Sequence, residues 1–294
     1  MRDHEPVLVA EFLALADPKP GERWVDGTVG AGGHAGEILK RIGPGGALIG
    51  LDRDPAAVEQ ARARLAEFAN ARVERGSYEQ AGESVRRHWG DAAPDGILLD
   101  LGVSSMQLDD PGRGFSFMRP GPLDMRMDPG SGETAADLVN RLPAAELERI
   151  LREYGEEARA RRVAETIVRE RAVKPFTDTA RFAEVVAGAV GGRQGRGHPA
   201  TRTFQAIRIA VNREIERLGE GLRVLPGLLA PGGRLAIITF HSLEDRPVKE
   251  RFRGLSRQDG WGLLTKHVAA PTRDEQLRNP RSRSAKLRVV RRPD

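Results

Sequence analysis

From Glu22 onward the apolar positions come in short bursts. ERWVDG, GGALIGLD, ARVERG and DGILLDLG are short segments, each with apolar residues at the centre and Gly or Asp at a border, the pattern of strands buried in a sheet. Between the second and third lies PAAVEQARARLAEF, with proline near its first turn and Val58, Ala61, Leu65 and Phe68 at helical spacing. The first strand runs through a glycine-dense turn into EILKRIG, which reads as a helix. Buried strands separated by helices predict a parallel, doubly wound α/β sheet.

The alternation then stops. Residues 108–133, LDDPGRGFSFMRPGPLDMRMDPGSGE, are too dense in glycine and proline for one regular element. Four helical patterns follow with no strand among them: TAADLVNRL, PAAELERILREY, EEARARRVAETIVRERA and DTARFAEVVAGAV. GGRQGRGHP, residues 191–199, reads as a mobile basic loop. The α/β pattern returns with FQAIRIAVNREIERLGEGLRVLPGLL as a helix, a PGG turn and RLAIITFH as a fifth strand. WGLLTKHV and AKLRVVRR complete the sheet, antiparallel to each other. The expected organisation is a core in two parts, 1–107 and 201–294, around an all-helical insert, 108–200, with a basic C-terminal tail.

Composition narrows the chemistry. The 294 residues contain no cysteine, which excludes disulfides, thiolate nucleophiles and Cys-based metal sites. No apolar run is long enough to span a membrane, and MRDHEPVLVAEFLALA carries charge where a signal peptide needs an apolar stretch, so a cytoplasmic protein is expected. Lys plus Arg is 47 against 42 Asp plus Glu. Seven of those cations stand in RNPRSRSAKLRVVRR, residues 278–292, with no acid among them, which suits either a polyanion contact or a solubilising tail.

The glycine turn GTVGAGGH follows Asp26, and Asp52 closes the second strand twenty-two residues beyond Gly30. A carboxylate there can accept both hydroxyls of an adenosine ribose. No GxxxxGK[ST] loop is present, and the turn departs from GxGxxG. Asp26 beside the turn would repel a pyrophosphate, whereas it can face the amino group and sulfonium of S-adenosylmethionine. The residues therefore favour S-adenosylmethionine over NAD or ATP, with Asp26, Gly30 and Asp52 in the site.

These motifs carry a resemblance. DGTVGAGGH at 26–34, GLDRD at 50–54, DGILLDLGVSSMQLDDPGRGFSFMRPGPLDMRMD at 95–128, YGEE at 154–157, HPATRTFQAIRIAVNRE at 198–214, PGGRLAIITFHSLEDRPVK at 231–249 and NPRSRSAKLR at 279–288 stand in the order of the bacterial rRNA small-subunit methyltransferase H, or MraW, family. The chain resembles that family over most of its length. The resemblance implies a class I S-adenosylmethionine-dependent, Rossmann-like fold and methylation of the exocyclic N4 of a cytosine in the decoding region of 16S rRNA, within the small ribosomal subunit. It also implies cofactor contacts from Gly32, Gly33, His34, Asp52, Tyr78, Asp100 and Gln107. Tyr78 stands where the family often has Phe; either ring can cover an adenine.

The reaction needs an amine held in line with the methyl carbon. Asp100, at the carboxyl end of the fourth strand, stands where open α/β sheets place their chemistry; it can orient the cofactor or accept from the target amine, or simply cap a turn. Ser104 and Ser105 follow it and either bind the base or close the turn. His241 in TFHSLEDR is a candidate catalytic group, with Ser242, Glu244 and Asp245 positioning substrate or forming a structural network. Phe115, Phe117, Met118, Met125, Arg126 and Met127 form either a lid that stacks on RNA or a seam joining the insert to the sheet. Arg196, His198, Arg202, Arg281 and Arg283 are expected to meet phosphates. No metal site is expected. A DNA or protein methyltransferase, an NAD-dependent enzyme and a non-catalytic ribosome-assembly RNA-binding module remain as alternatives, and a homodimer stays open.

Overall fold

A computed structural model describes residues 6–191 and 197–294. The chain begins α1 (Val9–Leu15), β1 (Arg23–Asp26), α2 (Gly33–Ile42), β2 (Ala47–Asp52), α3 (Pro55–Arg64), β3 (Ala71–Arg75), α4 (Ala81–Trp89) and β4 (Gly96–Asp100). It continues through α5 (Ser105–Asp109), α6 (Ala135–Arg141), α7 (Ala144–Gly155), α8 (Ala160–Val173), α9 (Thr179–Val190) and α10 (Thr201–Asn212). The last stretch is α11 (Glu214–Leu228), β5 (Arg234–Thr239), α12 (Ser242–Gln258), β6 (Gly262–Leu263), α13 (Arg273–Arg278) and β7 (Lys286–Arg291). Among the described residues, no helix is long and apolar enough to cross a membrane.

Two compact units result: residues 1–102 with 215–294, and residues 103–214. The first holds one sheet in the order β3-β2-β1-β4-β5-β7-β6. Strands β1 to β5 are parallel, while β7 runs antiparallel to both β5 and β6. Strand periodicity of two sends alternate side chains to opposite faces. Val25, Ile49, Leu51, Ile97, Leu99, Leu235 and Ile237 therefore bury against α4, α11 and α12. Trp24, Leu48, Leu98, Ala236 and Ile238 bury in the other layer with residues of α1, α2 and α3. Covered on both faces, the central strands β2, β4 and β5 read as nearly continuous apolar runs.

The second unit has its own core, including Leu147, Ile150 and Leu151 of α7, Val163 and Ile167 of α8, Phe182 and Val186 of α9, and Phe204 and Ile207 of α10. Helix α10 thus belongs with the insert. The sequence reads residues 204–229 as one helix, but the chain breaks at Arg213, whose φ of 53° is left-handed. The unit boundaries accordingly fall at 102/103 and 214/215, where the sequence reading puts 107/108 and 200/201. The glycine-proline stretch is a compact irregular loop: a Cβ on Gly121 would stand 1.9 Å from the carbonyl oxygen of Pro111, so no side chain fits.

Candidate active site

Asp26, Asp52 and Asp100 each close a parallel strand, β1, β2 and β4. The strand order reverses between β1 and β4, and open α/β sheets bind ligands in the crevice beyond the strands' carboxyl ends at such a point. The turn after β1 ties the three acids together. The amide of Thr28 donates to Oδ1 of Asp26 at 3.2 Å, and the amide of Asp100 donates to Thr28 Oγ1 at 2.5 Å. The amides of Gly30 and Asp54 donate to the two oxygens of Asp52 at 3.0 and 2.9 Å. Gly30 and Gly32 take positive φ in the turn, and Gly33 opens α2. Gly27 has a packing reason instead: a Cβ there would lie 2.5 Å from Leu99 and 2.7 Å from Tyr78.

His34, in the first turn of α2, is 5% exposed. Its Nε2 lies 2.9 Å from the Val7 carbonyl oxygen and its Nδ1 lies 3.6 Å from Oδ2 of Asp100. Tyr78 is nearly buried, with its Cβ against Gly27 and its ring edge toward Gly221, so its ring is mainly part of the core layer.

The acids are held against their preference. Burial, and then the Asp52 charge, pushes Asp26 up to about 7, with the Thr28 amide pulling the other way. Burial also raises Asp52, opposed by the Asp54 and Gly30 amides. Asp100 stands well above the ordinary carboxylate range because it is buried and faces Asp26 and Glu244. Its Oδ1 is buried without a hydrogen-bond partner among the described residues. A ligand carrying an ammonium or sulfonium together with vicinal hydroxyls supplies the missing positive charge and donors. A pyrophosphate would add repulsion. The donor set therefore fits S-adenosylmethionine.

At the end of β5, His241 precedes α12, and Glu244 reaches back from its first turn. Oε2 of Glu244 accepts from the amides of Phe240 and His241 at 2.8 and 3.4 Å, and Oε1 lies 3.1 Å from His241 Nε2. Glu244 is 2% exposed, so it caps the helix and orients His241; the expected substrate contact is corrected to that role. Ser242 is exposed at the first helical position. Asp245 accepts from Nε and one terminal nitrogen of Arg288, at 2.8 and 3.0 Å. Burial opposes its charge, but Arg288 and Lys286 hold its carboxyl below the usual range.

In the insert, Ser104 and Gln107 form a capping box on α5. The Gln107 amide donates to Ser104 Oγ at 3.2 Å and the Ser104 amide donates to Gln107 Oε1 at 3.0 Å. Ser104 therefore closes the turn, and Ser105 is the first helical residue. Phe115 is buried in the insert core, which corrects its expected stacking on RNA. Arg126 holds Asp124 with its Nε and one terminal nitrogen at 2.8 and 2.7 Å, and the other terminal nitrogen reaches the Gly132 carbonyl. Phe117 stacks on the exposed ring of His198, with centroids 4.5 Å apart, and Met118 beside it is 78% exposed. Arg202 is exposed and donates to the Glu156 carbonyl. Arg196 lies outside the described residues.

Asn212 was missed. It accepts from the Met127 amide at 2.8 Å and donates to the carbonyls of Met125 and Arg208 at 2.8 and 2.9 Å, holding a segment in which Met125 takes a φ of 61°. Its only sequence signal is a polar residue on an apolar helix face.

The basic C-terminal stretch is not a tail. Leu287, Val289 and Val290 of β7 are fully buried inside the sheet. Arg288 pairs with Asp245, Arg291 with Asp294, and Arg292 donates to the Leu229 carbonyl. Arg278, Arg281 and Arg283 remain exposed.

A seven-stranded sheet in this order, with its antiparallel β7 and with carboxylates at the ends of β1, β2 and β4, defines a class I methyltransferase of Rossmann-like fold. The chain belongs to the MraW methylase family, whose model matches residues 1–293. It is 50% identical over 305 aligned positions to the ribosomal RNA small subunit methyltransferase H of Anaeromyxobacter sp. (strain K), covering 98% of this chain and 97% of that protein. The proteins of the same name from Syntrophotalea carbinolica and Thermomicrobium roseum are 50% and 47% identical, each over 98% of this chain and over 98% and 93% of their own lengths.

Proposed function

We propose that this protein transfers a methyl group from S-adenosylmethionine to the exocyclic N4 of a cytosine in the decoding region of 16S rRNA, acting in the cytoplasm on the small ribosomal subunit. The observation that carries the reading is the set of three acids at the strand ends, Asp26 buried and Asp52 and Asp100 partly so, with Oδ1 of Asp100 buried and unpartnered among the described residues. When bound, S-adenosylmethionine supplies a methyl carbon made electrophilic by its sulfonium.

The chain's residues do the positioning. Asp52 accepts the ribose hydroxyls, the Gly30–Gly33 turn lines the donor, and Asp26 with Asp100 faces its positive end. Asp100 also lies where it can accept a hydrogen bond from the target amine. Such alignment of donor and acceptor is the main catalytic resource for an in-line displacement. The insert presents Phe117, His198 and Met118 as a stacking surface for unpaired bases and Arg202 as an exposed cation for phosphates; Arg281 and Arg283, in the C-terminal segment of the sheet-bearing unit, are exposed cations of the same use.

Nucleoside analysis of rRNA incubated with the protein and S-adenosylmethionine tests the reading. N4-methylcytidine supports it; methylation of a different atom or base overturns it.

A further inference from the structure

His34 has a constrained place beside Asp100. A carbonyl oxygen only accepts, so the 2.9 Å contact with Val7 requires the hydrogen on Nε2 of His34. Nδ1 is then directed to Asp100, and its 3.6 Å separation from Oδ2 is within ion-pair reach but longer than a hydrogen bond. Phe12 of α1 sets its ring edge-on to the imidazole at 5.8 Å. The Val7 carbonyl is itself anchored, because the next residue, Leu8, has a left-handed φ of 58° and donates its amide to Oε1 of Glu275 at 2.8 Å. The other titratable groups facing Asp100 are Asp26 from β1 and Glu244 from α12, both acids. Among the described residues, His34 from α2 is the neighbour paired with it that can carry the opposite charge.

We propose that His34 is a positioning residue for Asp100: fixed in one tautomer by the Val7 carbonyl, its imidazole takes the proton that the buried carboxyl would otherwise hold, so that Asp100 meets its ligand as an anion. One proton is shared by the pair. It leaves Oδ2 of Asp100 for Nδ1 of His34, and the net charge of the two residues is unchanged. Arrival of a cationic ligand at Asp100 favours the charge-separated form. The proposal rests on the reading of Asp100 as the acid that faces the positive end of S-adenosylmethionine.

The test uses the full chain with ¹⁵N-labelled histidine, the His34 signals being assigned by comparison with His34→Asn. The expected spectrum has Nε2 protonated throughout, and Nδ1 becomes protonated near neutral pH when S-adenosylmethionine is added. In Asp100→Asn the titration midpoint of His34 falls by about one pH unit or more, the scale of a lost neighbouring charge. An unchanged midpoint in that variant, or a hydrogen-free Nε2, overturns the proposal. In His34→Asn, calorimetry is expected to show S-adenosylmethionine affinity reduced by roughly tenfold near neutral pH, equivalent to about one unit in the ionisation of Asp100, with the loss shrinking as pH rises. A loss that is the same at every pH overturns it as well. If His34→Asn does not fold, the assignment passes to the remaining histidines and the Asp100→Asn titration decides. Neither readout needs methyl transfer, so a wrong RNA substrate and a wrong role for His34 give different results.

Discussion

The backbone amide of Gly30 donates to Oδ2 of Asp52 at 3.0 Å, joining the glycine turn to the end of β2 across twenty-two residues. With Oδ1 taking the Asp54 amide, Asp52 shapes the turn as well as offering remaining lone pairs to a ligand. Asp52→Ala is therefore expected to lose stability and cofactor affinity together. Asp52→Asn keeps one acceptor oxygen and loses the charge; calorimetry should find S-adenosylmethionine binding weaker by about 1.5 to 3 kcal/mol, the range for hydrogen bonds to a charged group. Unchanged affinity in folded Asp52→Asn would remove the ribose role.

Asp26 makes the ligand-free protein pH-sensitive. Its carboxyl is pushed up to about 7 in the fold from 3.8. At low pH both folded and unfolded chains hold the proton and nothing is lost. As pH rises toward neutrality the unfolded chain ionises first, so stability falls, and above the folded value the full cost persists, on the order of 4 kcal/mol at 1.36 per unit. Asp26→Asn should stabilise the ligand-free protein against urea at about pH 8 and give no gain at about pH 4. The same variant is expected to bind S-adenosylmethionine more weakly. A gain of equal size at both pH values would contradict the assignment.

Strands β1, β2 and β4 were legible because each is an apolar run closed by Asp, and those carboxylates were legible with them. Helix α12 was not, because SLEDRPVKERFRGLSRQ carries few apolar residues and an internal Pro247. The break at Arg213 has no glycine to announce it. Ser104 and Gln107 do fit the S-x-x-Q capping pattern, yet their position just after β4 drew a chemical reading. Arginine partners are not legible in the sequence, for a physical reason: Arg288 finds Asp245 forty-three residues away, and Arg126 finds Asp124 two residues away. Only folding decides which guanidinium stays exposed.

Asn212 fills three backbone hydrogen-bonding needs of the insert while only 2% exposed. Asn212→Ala is expected to destabilise the insert by roughly 2 to 4 kcal/mol, since it leaves buried polar groups unpaired. Denaturant unfolding would measure this, and a change below about 0.5 kcal/mol, the range for neutral surface substitutions, would contradict the role.

The salt dependence of RNA binding should be modest for the C-terminal segment. Arg278, Arg281 and Arg283 are exposed, and Arg291 is exposed but paired with Asp294; replacing the first three is expected to flatten the slope of log K against log salt by about 2 to 3, at 0.7 to 0.9 per phosphate contact. A reduction of about 5 or more would mean that the arginines buried in pairing are freed on binding.

The central claim is tested most directly by methyl transfer from labelled S-adenosylmethionine to unmodified small ribosomal subunits, with free 16S rRNA and DNA of the same sequence alongside and nucleoside analysis of each product. N4-methylcytidine formed on the subunit, with little or no label on DNA, is the predicted result. Label on DNA in preference to RNA, or no transfer to any of the three by protein that binds S-adenosylmethionine, would contradict the account.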